Sequence, residues 1–179
     1  MKKQLIIGLI GKSGSGKTTV ADYLHAYYGV SSIAFATPLK EALSIIFNED
    51  FEKGDRNIPI PGTTVCKRKI MCDVSDYLKS VDSKVFINAA NEKLKSLSGY
   101  TAIQFTDVRY KDEVKFLKKK GAIFIEIVRP DAAKVPFEHD SEQGDFSGVN
   151  RIIIQNTGTL ANLYSEIDKV LIHYLEYFE

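Results

Sequence analysis

Gly11-Lys12-Ser13-Gly14-Ser15-Gly16-Lys17-Thr18 places glycine, lysine and hydroxyl at every fixed position of the pattern G-x-x-x-x-G-K-[ST]. Those residue types suit one task. Glycines let the backbone curl so that successive main-chain N–H groups face an anion, and a helix opening at the end of the curl turns its positive pole to the same point. The expected ligand is the polyphosphate of a nucleoside triphosphate, with Lys17 on the β- and γ-phosphates and the Thr18 hydroxyl on Mg²⁺. The nucleotide-binding set is then Gly11, Ser13, Gly14, Ser15, Gly16, Lys17, Thr18 and Thr19, with Lys12 facing solvent.

A second group of residues suits phosphoryl chemistry. Asp107 ends an apolar stretch, where a carboxylate can hold Mg²⁺ through water or accept a proton; it could equally cap a helix beginning near Tyr110. Arg109, two residues on, points the same way if the strand continues. Arg56, Lys67, Arg68 and Arg129 lie in irregular segments and could close over a second phosphorylated ligand or simply face solvent. His139, within His139-Asp140-Ser141-Glu142, reads as a lid contact or a polar turn, whereas His25 and His173 fall within helical stripes as packing or surface residues.

These side chains need a scaffold, and the hydrophobic pattern supplies one. Leu5 to Ile10 is a continuous apolar run, expected of a central parallel strand covered on both faces. Val20, Ala21, Leu24, Tyr27 and Tyr28 recur at helical spacing up to Gly29. Ser32 to Ala36 predicts a short strand, followed by Thr37 as N-cap, Pro38 at the first helical position and a Leu39, Ala42, Leu43, Ile46, Phe47 stripe. A helix over Val85 to Leu97 closes at Gly99. Strands follow at Thr101 to Val108, Ala122 to Val128 and Ile152 to Gln155, with a helix carrying Val114 and Leu117 ahead of Gly121 and a last helix from Leu160 to Phe178. Strand alternating with helix predicts an α/β protein with a five-stranded parallel sheet flanked by helices in three layers. Asn48 to Asp82 and Arg129 to Asn150 break that alternation and are read as irregular insertions.

The 179 residues, 44% hydrophobic, are enough for one core, and a single domain over 1–179 is expected. A net charge of +1 exerts no general pull on nucleic acid or an anionic membrane, so anion binding must be local. Cys66 and Cys72 have no nearby ligands to complete a metal site and read as free thiols. The N-terminal apolar run stops after six residues, far short of the ~20 that a membrane span requires. A soluble, cytoplasmic chain is expected.

Taken in order, Gly11 to Thr18, Phe35-Ala36-Thr37-Pro38-Leu39-Lys40-Glu41, Asp107-Val108-Arg109 with Glu113, Val128-Arg129-Pro130, His139-x-Ser141-Glu142 and Asn156-x-Gly158-Thr159-Leu160 make the chain resemble the deoxynucleoside monophosphate kinases of tailed bacteriophages and their bacterial relatives. The resemblance implies a P-loop NTPase fold of the nucleoside monophosphate kinase kind, with an acceptor-binding insertion at 48–82 and a lid at 129–150. It implies transfer of the ATP γ-phosphoryl group to a deoxynucleoside 5′-monophosphate. On that basis Lys17, Asp107, Arg109 and Arg129 serve catalysis, Thr18 and Asp107 the metal, and Asn156 lies near the adenine. Lys40, Arg68, Arg109, Glu113, His139 and Glu142 would serve the acceptor. The chain departs from the family around Arg68: Met71 is followed by Cys72 rather than Gln, and Ser75 stands where a glycine is expected.

A kinase of another small acceptor, such as dephospho-coenzyme A, would share the sheet, loop and lid. A GTPase switch would need an Asn-Lys-x-Asp guanine reader, which is absent, and its Asp-x-x-Gly is matched only by Asp145 to Gly148 after a polar turn. Binding of nucleotide without catalysis is disfavoured by intact Lys17, Thr18 and Asp107. The base carried by the acceptor, deoxyribose against ribose, and whether the chain forms a homodimer cannot be read from these residues.

Overall fold

A run of six residues with no exposed member, Leu5–Ile10, forms β1 at the centre of a parallel sheet. The computed structural model describes residues 4–130, 132, 146 and 148–177. Strand β1 is followed by α1 (Lys17–Tyr28), β2 (Ser31–Ile33), α2 (Thr37–Phe47), α3 (Lys67–Val81) and α4 (Val85–Ser96). Then come β3 (Ala102–Phe105), α5 (Lys111–Lys119), β4 (Ile123–Val128), β5 (Ile152–Gln155) and α6 (Leu160–Leu171), which continues as a 3₁₀ turn over Ile172–Tyr177. The strand order is β2-β3-β1-β4-β5, every pair parallel, with Ile7 opposite Gln104 on one side and Ile123 on the other. Among the described residues, no helix is long and apolar enough to cross a membrane.

The period of two along β1 divides the core. Ile6 and Ile10 pack with residues of α2, α4 and α5, while Leu5, Ile7 and Leu9 pack with Val20 and Leu24 of α1 and Leu163 and Ile167 of α6. The sheet therefore lies between two helical layers, as the unbroken apolar run predicts.

Several local expectations change. The position before α2 is Ala36, whose backbone is already helical and whose side chain offers no cap bond, and Thr37 opens the helix rather than capping it. Only Leu39, Lys40 and Leu43 of α2 are buried; Ala42, Ile46 and Phe47 are exposed. Strand β3 stops at Phe105, so Asp107 stands in the loop beyond it.

The largest difference is Asn48 to Asp82, read as irregular but containing the fifteen-residue helix α3. Ile70, Met71, Val74 and Leu78 recur at helical spacing along it and rest on the core without being fully buried. Before it, Phe51 (0% exposed) and Ile60 (4%) pin the 48–66 segment to the core, and Pro59 pairs with Cys66 in an antiparallel bridge. Polar composition hid a helix that is amphipathic and half-covered.

Gly8 tests the fit of sheet to helix. A Cβ there would lie 2.8 Å from the Phe124 ring and 3.3 Å from Leu117. Gly8→Val should destabilise the protein by about 1–3 kcal/mol through overpacking, measured as a lowered urea midpoint at unchanged m-value; an unchanged midpoint would show that Phe124 can move aside.

Candidate active site

Parallel pairing brings the loops after β1, β2 and β3 to one edge of the sheet, the edge where ligands of open α/β sheets bind. The loop after β1 carries φ of 145° at Gly11, 75° at Gly14 and 108° at Gly16, left-handed backbone that only glycine takes without strain. Space demands glycine too. A Cβ on Gly11 would fall 2.5 Å from the Ile127 carbonyl oxygen, and one on Gly16 2.6 Å from Asn156 Nδ2.

Lys17 folds back across this loop, its ammonium donating to the carbonyl oxygens of Gly11 (2.5 Å) and Lys12 (2.7 Å). Thr18 is exposed in the first turn of α1, Ser13 and Thr19 are half-buried, and Lys12 faces solvent as expected. Ser15 is buried, and its hydroxyl has no hydrogen-bond partner among the described residues. Asn156 packs directly against the loop: Nδ2 donates to the Ser15 carbonyl (2.8 Å), and its main-chain N–H to Val128 (2.7 Å). That is a buttress for the phosphate loop, a role its sequence context did not suggest.

Beside the loop lies a cleft walled by α2, α3, α4 and the 107–113 segment. Lys40, Arg56, Arg68, Lys79 and Arg109 bring five cations to it, together with Asp107 and Glu113. Phe35, Leu39, Met71, Phe86 and Tyr110 give it an apolar side. Asp107 is anchored by the main chain: Oδ1 accepts from Phe35 N–H (2.8 Å) and Oδ2 from Ala36 N–H (3.0 Å). It thus holds the turn into α2 rather than capping α5. Glu113 does the capping, accepting from Arg109 N–H (2.7 Å) and Tyr110 N–H (3.0 Å).

A model of the deoxynucleotide monophosphate kinases matches residues 64–167, which reach from just before α3 to the last turns of α6 and include Arg68, Lys79, Asp107, Arg109, Glu113 and Asn156. The chain belongs to this kinase family. A protein of Acanthamoeba polyphaga mimivirus, provisionally named a deoxynucleotide monophosphate kinase, is 28% identical over 183 residues, covering 91% of this chain and 94% of that one. Among solved structures, a provisionally named kinase from Chloroflexus aurantiacus is similar over 100% of both chains at 14% identity and a TM-score of 0.57. A Thermus thermophilus protein is similar over 96% of this chain and 98% of its own at 17% identity and 0.52. These two likenesses establish the shared fold.

The kinase's cleft is electrostatically uneven. Lys40 is buried and pairs with Glu52 at 2.9 Å, and Arg68 Nε donates to Asn57 Oδ1 at 3.0 Å. Burial, and then the neighbouring Arg109 and Arg68, hold the Arg56 guanidinium below its ordinary value against the pull of Glu52. It remains charged regardless. Cation crowding of this kind is relieved by an anion. Burial foremost, then the charge of Asp107, pushes the Glu113 carboxyl up to about 7 despite its two main-chain bonds.

Of the expected acceptor residues, Lys40, Arg68, Arg109 and Glu113 share this cleft. Arg129 is exposed just beyond β4 and does not line it, and Lys67 is tied to Glu49 (2.8 Å) and the Asp50 carbonyl instead. His139 and Glu142, with most of the 129–150 segment, lie outside the described residues. Lys79 was missed altogether. Its signal was a stripe of Arg68, Cys72, Ser75 and Lys79 at i, i+4, i+7 and i+11, which only the recognition of α3 makes visible.

Raised carboxyl groups weaken folding as pH rises. The unfolded Glu113 releases its proton at its ordinary value of 4.5 and the folded one at about 7, so between those values the native state holds more protons and loses relative stability as pH rises. Glu113→Gln should flatten this fall, which thermal unfolding of both proteins at about pH 5 and about pH 8 would reveal; parallel curves would place Glu113 in water.

Proposed function

We propose that this kinase transfers the γ-phosphoryl group of ATP to the 5′-phosphate of a deoxynucleoside monophosphate, giving ADP and the deoxynucleoside diphosphate. The observation that carries the reading is the cleft itself: cations and an apolar wall in one cavity, on the same sheet edge as the phosphate loop. That pairing of surfaces suits an acceptor with a phosphate at one end and a flat base at the other.

In this reading the loop amides and Lys17 bind the ATP phosphates. Lys17 exchanges its bonds to the Gly11 and Lys12 carbonyls for phosphate oxygens, so its charge stays partnered throughout. Arg68, Arg109 and Arg56 face the acceptor phosphate, while Lys40 is steadied beside it by Glu52. An acceptor phosphate oxygen attacks the γ-phosphorus, a new P–O bond forms, and the bond to the β-phosphate oxygen breaks to leave ADP. That oxygen is already anionic, so positioning and charge neutralisation carry the step rather than a general base.

Among the described residues no His, Cys, Asp and Glu cluster could hold a metal alone. The exposed Thr18 hydroxyl and the Asp107 carboxylate are hard oxygen donors of the kind Mg²⁺ takes alongside substrate phosphates. The ion would neutralise phosphate charge; Asp107, both of whose oxygens hold the turn into α2, would serve it through water. Arg129 and the 129–150 lid would close over the nucleotides.

Lys17→Ala should lower turnover by orders of magnitude at an unchanged melting temperature. The assay is coupled ADP formation across ribo- and deoxyribonucleoside monophosphates, with dephospho-coenzyme A as rival acceptor; preference for the last would refute the assignment, and equal rates for the two sugars would remove the deoxyribose preference. Asn156→Ala frees the Ser15 carbonyl and should raise the KM for ATP more than that for the acceptor. Steady-state kinetics showing equal rises would count against a buttress confined to the loop.

A further inference from the structure

Lys79 is the cation of the cleft that the phosphate chemistry leaves without a task. It lies eleven residues along α3 from Arg68, on the same face, which separates the two by ~16 Å of helical rise. Arg68 stands at the first turn of α3, where its main-chain N–H donates to the Arg56 carbonyl (2.9 Å), so Arg56 and Arg68 meet at that end, with Arg109 between them and Lys79. Lys79 stands at the other end, its ammonium 3.2 Å from the centre of the Tyr110 ring and 5.7 Å from that of Phe86.

The Lys79 ammonium is shielded from solvent and has no hydrogen-bond partner among the described residues. Burial, with the nearby Arg109 charge, pushes its affinity for a proton down, against the opposing pull of Glu113 and Asp76. Contact with an aromatic face attracts a cation but engages only the side of the ammonium turned to the ring; its three N–H groups still need acceptors. A lysine covered by aromatic rings on the wall of the cleft is therefore short of an oxygen, and a ligand that draws the ammonium out from over the Tyr110 ring is the group that can bring one.

Resting on the acceptor reading given above, we propose that Lys79 is a specificity-determining residue that donates a hydrogen bond to a carbonyl oxygen on the acceptor's base, at the end of the cleft opposite the phosphate. Phe86 and Tyr110 present their apolar surfaces to the ring of that base. A base with hydrogen in place of the oxygen would leave the ammonium unpartnered and bind more weakly.

The test compares two acceptors, 2′-deoxyinosine 5′-monophosphate and the corresponding purine nucleotide lacking the 6-oxygen and with it the N1 proton, with wild type and Lys79→Met. Wild type should show kcat/KM at least about tenfold higher for the oxo compound. In Lys79→Met the two values should converge to within about twofold, a change in ratio that loss of a purely structural lysine would not produce. The wild-type ratio needs no variant, so misfolding of Lys79→Met would not shield the proposal. Equal values in wild type or a preference surviving in Lys79→Met would each overturn it while leaving the kinase reading in place; if only pyrimidine nucleotides are turned over, the same comparison is made between 2′-deoxyuridine 5′-monophosphate and its analogue lacking the 4-oxygen, and equal values there would overturn it too. Turnover of no nucleoside monophosphate would remove the acceptor reading and Lys79's role with it.

Discussion

Two main-chain N–H groups, from Phe35 and Ala36, end on the two oxygens of Asp107 and so tie the turn after β2 to the loop after β3. The shape of the cleft depends on that tie. Phe35 and Leu39 reach the cleft from one partner; Arg109, Tyr110 and Glu113 reach it from the other. Glu113 fixes the second partner in turn by bonding Arg109 and Tyr110 main-chain groups, and the charge of Asp107 stands close enough to disfavour the ionised form of its carboxyl. The cleft's acidic pair is thus structural before it is chemical, and it balances cations that would otherwise repel one another.

The contrast with the chain as a whole is instructive. A net charge of +1 conceals a local concentration of guanidinium and ammonium groups drawn from α2, the 48–66 segment, α3 and the 107–113 segment. Nothing in composition reveals such a site, because charges distant in sequence cancel in a sum. Strand order reveals it, by placing β3 beside β1 and β2 beside β3.

Legibility followed locality. The phosphate loop lies within eight consecutive residues, and its geometry depends on torsions that glycine alone allows, so pattern and structure agree there. Strand β1 was legible because burial on both faces leaves no polar position. Helix α3 was not: its covered positions are separated by Cys72, Asp73, Ser75, Asp76 and Tyr77, and the Pro and Gly residues before it suggested a loop throughout. With α3 unrecognised, Lys79 had no face to share with Arg68. Asn156 was expected near the adenine; its bond to the phosphate loop through Ser15 spans 141 positions and leaves no local trace.

No residue of α3 is fully buried, although Ile70, Met71, Val74 and Leu78 all touch the core. A helix held by half-covered side chains detaches at lower free energy than the sheet it leans on. The cleft therefore has one soft wall and one stiff one, and the soft wall carries Arg68 at one end and Lys79 at the other. Breathing of that single helix would open the cleft while the strands and the glycine-rich curl stay in place.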